Sequence, residues 1–75
     1  MYFSYHSIVQ KGIKQGRLKN YYFDKNYKKI GYVMVLCIGK KKYPIREDKF
    51  LEYFELIGQF YKTRKKGDVF YTTPI

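Results

Sequence analysis

Residues 30–38 read Ile-Gly-Tyr-Val-Met-Val-Leu-Cys-Ile and are followed at once by Gly39-Lys40. Successive residues of a strand face opposite ways. A strand built from this run is therefore apolar on both sides from Tyr32 onward, and it needs neighbours in a sheet and a cover over at least one face. The run is only about half of the ~20 residues needed to cross a bilayer. Gly39-Lys40 suits a tight hairpin turn. Residues 41–45 then return as a short strand, which Pro44 places at a sheet edge.

The rest of the chain supplies partners for that strand. Residues 17–24 read as a further strand, and the polar stretch Asp24-Lys25-Asn26-Tyr27-Lys28 suits the connecting loop. In residues 47–66, Phe50, Tyr53, Phe54, Ile57, Phe60 and Tyr61 recur at three- and four-residue spacing, which gives one wide apolar stripe of a helix. Glu47 and Asp48 open this helix, Lys62, Arg64, Lys65 and Lys66 close it in accord with the macrodipole, and Gly67 terminates it. Residues 68–73 alternate as a last strand. Near the N-terminus, Tyr5, Ile8, Val9 and Ile13 have helical spacing with Gly16 as a cap, although Gly12 weakens a helix interior. We read a strand over 2–5 and a short helix over 6–15.

These elements predict one α+β domain over residues 1–75. Its small antiparallel sheet has three to five strands, one long amphipathic helix (about 47–66) packs on one face, and a second short helix lies near the N-terminus. Two element orders fit, a βαβββαβ sandwich or a β-meander plus one helix. The core draws on ten Tyr and six Phe, each able to bury roughly 150–250 Å². Cys37 is the only cysteine, which excludes an internal disulfide, and its place in the apolar run predicts a buried structural thiol. One Cys and one His do not make a protein-only zinc site, so no metal and no cofactor is expected. The first residues lack the basic start and apolar run of a secretory signal, and a reducing cytoplasm is the expected location.

The net charge of +10 is the strongest pointer to function. Thirteen Lys against three Arg, with no Ala, reflect AT-rich codon usage in part. Codon bias does not explain the shortage of Asp and Glu. Residues 1–46 hold nine Lys, two Arg and a single acid, Asp24, for a net +10, while residues 47–75 are neutral overall. Ten uncompensated charges repel one another, which implies a partner that neutralises them.

Two basic clusters stand out. One is the turn bearing Lys40, Lys41 and Lys42. The other is Lys25, Tyr27, Lys28 and Lys29, which with Arg17, Lys19 and the pair Tyr21-Tyr22 interleaves cations and rings as single-strand binders do. At most one of Tyr21 and Tyr22 can face solvent. In a meander the two clusters lie at opposite ends of strand 29–38, roughly 30 Å apart at ~3.3 Å per residue. That favours an extended polyanion over one compact anion. The expected function is a nucleic-acid-associated binding protein, for DNA or RNA, of low sequence specificity because lysine is a point charge. The alternative is an adaptor or inhibitor of phage or plasmid type that docks on an acidic protein surface. Edge lysines also serve simply to block strand pairing, and an edge left open would allow a homodimer.

Other motifs match the chain only in part. Residues 28–35 match the RNA-recognition octapeptide at Lys28, Gly31, Tyr32 and Val33 but lack it at Lys29, Ile30 and Val35. A double-stranded-RNA-binding domain places lysines at the start of its second helix, where this chain has Arg46-Glu47-Asp48-Lys49. His6 has no evident partner in the sequence, and no catalytic constellation is visible. The one enzymatic alternative is a small metal-free ribonuclease working through Lys, Arg and Tyr.

Overall fold

The computed structural model describes residues 4–24, 26 and 30–75. Helix α1 spans Tyr5–Lys14, strands β1, β2 and β3 span Leu18–Phe23, Tyr32–Ile38 and Lys41–Arg46, and a single helical turn at Glu47–Lys49 leads into α2 at Phe50–Phe60. Strands β4 and β5, Tyr61–Lys66 and Val69–Pro74, complete the chain. The five strands form one antiparallel sheet in the order β3-β2-β1-β5-β4. The α+β class is as the sequence reads, with a sheet at the upper end of the expected strand number. Neither expected element order holds: two helices are present among the described residues, and two strands, β4 and β5, follow α2 as a closing hairpin. Of the strand read over 2–5, residues 2 and 3 lie outside the described residues and Tyr5 opens α1.

Local chemistry explains the boundaries of α1. Ser4 caps it, its side chain accepting from the Ser7 amide at 3.1 Å. At the other end Gly16 takes φ 76°, the Gly16 amide donates to the Ile13 carbonyl, and the Arg17 amide donates to Gly12, the paired bonds of a Schellman motif. Gly12, which costs helix propensity, has a packing reason to be there: a Cβ at this position would lie 2.7 Å from Ile38 Cγ2. The glycine lets α1 come close to β2.

The long helix is shorter than its sequence suggests. It ends at Phe60, and Tyr61 is already extended at φ −138°, ψ 150°. Residues 62–66 contain no apolar side chain and would bury nothing as a helix, whereas as β4 they form a continuous ladder with β5 from Tyr61↔Pro74 to Lys66↔Val69. Gly67, at φ 64°, turns that hairpin as Gly39, at φ 62°, turns the β2–β3 hairpin. Lys62, Arg64, Lys65 and Lys66 therefore do not complement the α2 dipole; they line a sheet edge.

Both helices cover the same face. Val9 and Ile13 of α1 and Tyr53 and Ile57 of α2 share one core with Leu18, Tyr21, Met34, Leu36, Ile38, Ile45 and Tyr61. Tyr21 stacks on Phe70 with ring centroids 5.0 Å apart, and Phe23, Phe50 and Phe54 continue the aromatic contacts toward one end of the sheet. Tyr61 ties the layers together, its hydroxyl donating to the Ile13 carbonyl at 2.7 Å and accepting from the Leu18 amide at 3.1 Å. Among the described residues no helix is long and apolar enough to cross a membrane.

Replacing Tyr61 by Phe strands the buried Leu18 amide and leaves the Ile13 carbonyl with the Gly16 amide alone, and should cost about 1–3 kcal/mol in urea denaturation. Wild-type stability in Y61F would contradict that bridge. Gly12→Val should lose a similar ~1–3 kcal/mol by overpacking against Ile38, and unchanged stability would show that the helix can back away.

Candidate functional site: a basic groove and an open sheet face

The register of the strands decides where each basic side chain goes. Directly paired residues share a face, so the row Tyr43, Leu36, Tyr21, Phe70, Lys65 lies under the helices. Tyr21 is 2% exposed in that row. Of the tyrosine pair, Tyr22 is the one that faces away. Lys41 pairs with Ile38 on the helix side and Lys42 pairs with Cys37 on the opposite side, so neighbouring lysines of one hairpin serve different surfaces.

On the helix side an open groove of about 1030 Å³ runs between α1 and the β2–β3 turn. Its lining includes Lys11, Arg17, Lys19, Lys40 and Lys41 with Ser7 and Gln15, and no carboxylate. The Gly39 amide donates to the Arg17 carbonyl, and Arg17 Nη2 lies 3.3 Å from where a Gly39 Cβ would sit, so the turn and the start of β1 are locked together. Among the described residues the ion pairs are His6–Glu52 and Lys49–Glu52, neither of which touches a groove cation. The groove thus joins Arg17, Lys19, Lys40 and Lys41, all singled out from sequence. Lys11 joins them from the helix, where nothing in the sequence distinguishes it from a solvated position. Lys25, Tyr27, Lys28 and Lys29 lie outside the described residues.

On the other side the sheet is uncovered by any described helix. One row crosses all five strands as Lys42, Cys37, Asn20, Tyr71, Arg64, and the next as Pro44, Val35, Tyr22, Val69, Lys66. Lys42 Nζ stands 5.9 Å from the centre of the Tyr22 ring. Cys37 is half-buried on this face, not a core thiol; burial pushes its pKa up while Lys42 pulls it partway back. None of the five strands contains Asp or Glu. The acids Glu47, Asp48, Glu52 and Glu55 all sit on the helical segment.

His6 does have partners. Its Nδ1 lies 2.6 Å from Tyr53 Oη and its Nε2 3.4 Å from Glu52 Oε1, so it pins α1 to α2. The Tyr53 hydroxyl also donates to the His6 carbonyl. A Glu–His–Tyr chain has the form of a proton relay, but burial, helped by the Glu52 charge, pushes the Tyr53 pKa up to about 12. That phenol keeps its proton and acts as a strut. No sequence spacing announces the contact, because it joins residues 47 apart. Among the described residues no three of His, Cys, Asp and Glu converge as a metal site would require. Comparison with protein-family models, curated proteins and solved structures finds no match to this chain.

Burial also raises Tyr5 to about 12, and it raises Tyr21 against a lowering contact from Thr63. A phenol whose pKa is higher folded than unfolded contributes stability below the ordinary value near 10, and that contribution disappears as pH rises through about 12. Ultraviolet titration should therefore show tyrosines ionising late, with unfolding through that window, and Tyr53→Phe should remove one late step. Uniform ionisation of all tyrosines near their ordinary value would contradict these placements.

Proposed function

We propose that this protein binds nucleic acid through the phosphate backbone with low sequence specificity, the α1/β2–β3 groove being the principal phosphate track. The observation that carries this reading is the gathering of Lys11, Arg17, Lys19, Lys40 and Lys41 around one open groove free of carboxylates. A groove of low-dielectric walls and one sign of charge focuses potential and favours a polyanion over isolated counter-ions. Four of the five cations are lysines, which neutralise phosphates without fixing a base. The acidic opening of the α2 segment, Glu47 and Asp48, repels phosphate and keeps the footprint off that helix.

Protein function here is binding, and no residue is assigned a catalytic role. An acidic protein surface would be attracted by the same groove, and the two are separable by experiment. Self-association through a sheet edge is opposed by charge, since Lys62, Thr63, Arg64, Lys65 and Lys66 are all exposed on β4, and β3 carries Lys41, Lys42 and Pro44.

Binding to single-stranded DNA or RNA should weaken with salt, log K against log salt having a slope of about −3.5 if all five groove cations engage phosphates. The double variant Lys40→Gln/Lys41→Gln should make the slope shallower by about 1.4. A flat salt dependence, or tighter binding to polyglutamate than to either nucleic acid, would overturn the proposal.

A further inference from the structure

The groove lies on the helix side of the sheet, yet the uncovered face opposite is just as free of acid. It also places the exposed ring of Tyr71 and the half-buried ring of Tyr22 among the exposed cations Lys42, Arg64 and Lys66. Tyr71 is fourth in the five-residue row, 42% exposed, directly between Asn20 and Arg64. Tyr22 is its diagonal neighbour on β1, two residues along from Asn20, and such diagonals are roughly 7–8 Å apart, within reach of adjacent planar groups. Lys42 closes one end of this row and Arg64 the other, about 19 Å apart across four strand spacings. Lys62 and Lys66 extend the basic margin along β4 on the same face.

From this arrangement we infer that the open sheet face is a stacking platform for the unpaired bases of a single-stranded nucleic acid, with Tyr71 as principal ring and Tyr22 as second. A stacked base needs an accessible aromatic face with cations beside it for the adjoining phosphates, and the row supplies both. Duplex DNA keeps its bases inside the helix and offers this face only phosphates. The crest of the β2–β3 hairpin joins the two surfaces: Lys41 points to the groove, Lys42 to the platform, and Lys40 sits in the turn between. A single strand can thus run from the groove over the β3 edge and onto the sheet. This inference rests on the phosphate-binding reading and adds the strand class to it.

The test compares a short mixed-sequence DNA strand with a strand of equal length and charge that is abasic throughout. The base-bearing strand should bind about tenfold more tightly, in line with the worth of one stacked base. Tyr71→Ala should bring the ratio of the two affinities close to one, Tyr71→Phe should restore it, and Lys40→Gln/Lys41→Gln should weaken both strands alike. Equal affinity of the unaltered protein for the two strands, or a ratio unmoved in Tyr71→Ala, overturns the platform and leaves the phosphate reading standing. Binding of neither strand overturns both.

Discussion

Two short helices can cover one face of a five-stranded sheet, and the chain has no further described element for the other. Every other feature of the molecule follows from that constraint. The covered face takes the apolar residues of β1 and β2, together with Val9, Ile13, Tyr53 and Ile57 from the helices. The uncovered face must live beside water, and its strands carry Lys, Arg, Asn, Thr and Tyr at positions that would otherwise strand apolar surface. Pro44, Val35 and Val69 in one row and Cys37 in the next are exceptions on that face, Val35 being 1% exposed between Pro44 and Tyr22. The close seat of α1 on β2 at Gly12 and the Tyr61 hydroxyl bridge fix how the helices lie on the sheet, and so set the wall of the basic groove.

Charge segregation is the second consequence. Along the chain the excess falls in residues 1–46 and the remainder is neutral. In space the division is different. The neutral C-terminal part places four of its five acids on the α2 segment and four of its five cations on β4, because the helix ends at Phe60 and residues 62–66 cross to the sheet edge, with Asp68 in the β4–β5 turn. The folded protein is thus more polarised than its sequence: a basic sheet with a basic groove at one side, and an acidic helix behind it. Desolvation adds little to this picture, since the cations are largely exposed and keep their water until a partner arrives.

The sequence made the sheet legible wherever a turn residue and a change of pattern coincided. Gly39 is read correctly as the β2–β3 turn, and the two-sided apolar run of β2 gave away its covered position, whereas Gly67, read as a helix terminator, closes a hairpin and the strand read over 29–38 begins at Tyr32. The helix end was misread because Phe60 and Tyr61 extend the three- and four-residue spacing, and because basic residues at 62–66 suit a helix C-terminus. What decided the outcome was the partner strand β5, a long-range effect with no local mark. Hairpin lysines were visible as a cluster, but their division between two surfaces required the register. The His6–Tyr53 contact and the Tyr22–Tyr71 neighbourhood join elements far apart in sequence and could not be seen without the fold.

The proposed phosphate binding should involve the groove and sheet and leave α2 untouched. The most direct measurement is amide chemical-shift mapping by NMR during titration with a short single-stranded oligonucleotide at low salt. The largest shifts should fall at Lys11, in residues 17–20 and 38–42, and at Arg64 and Tyr71, with the α2 segment unmoved. Shifts concentrated on Glu47, Asp48, Glu52 and Glu55, or none anywhere, would contradict it.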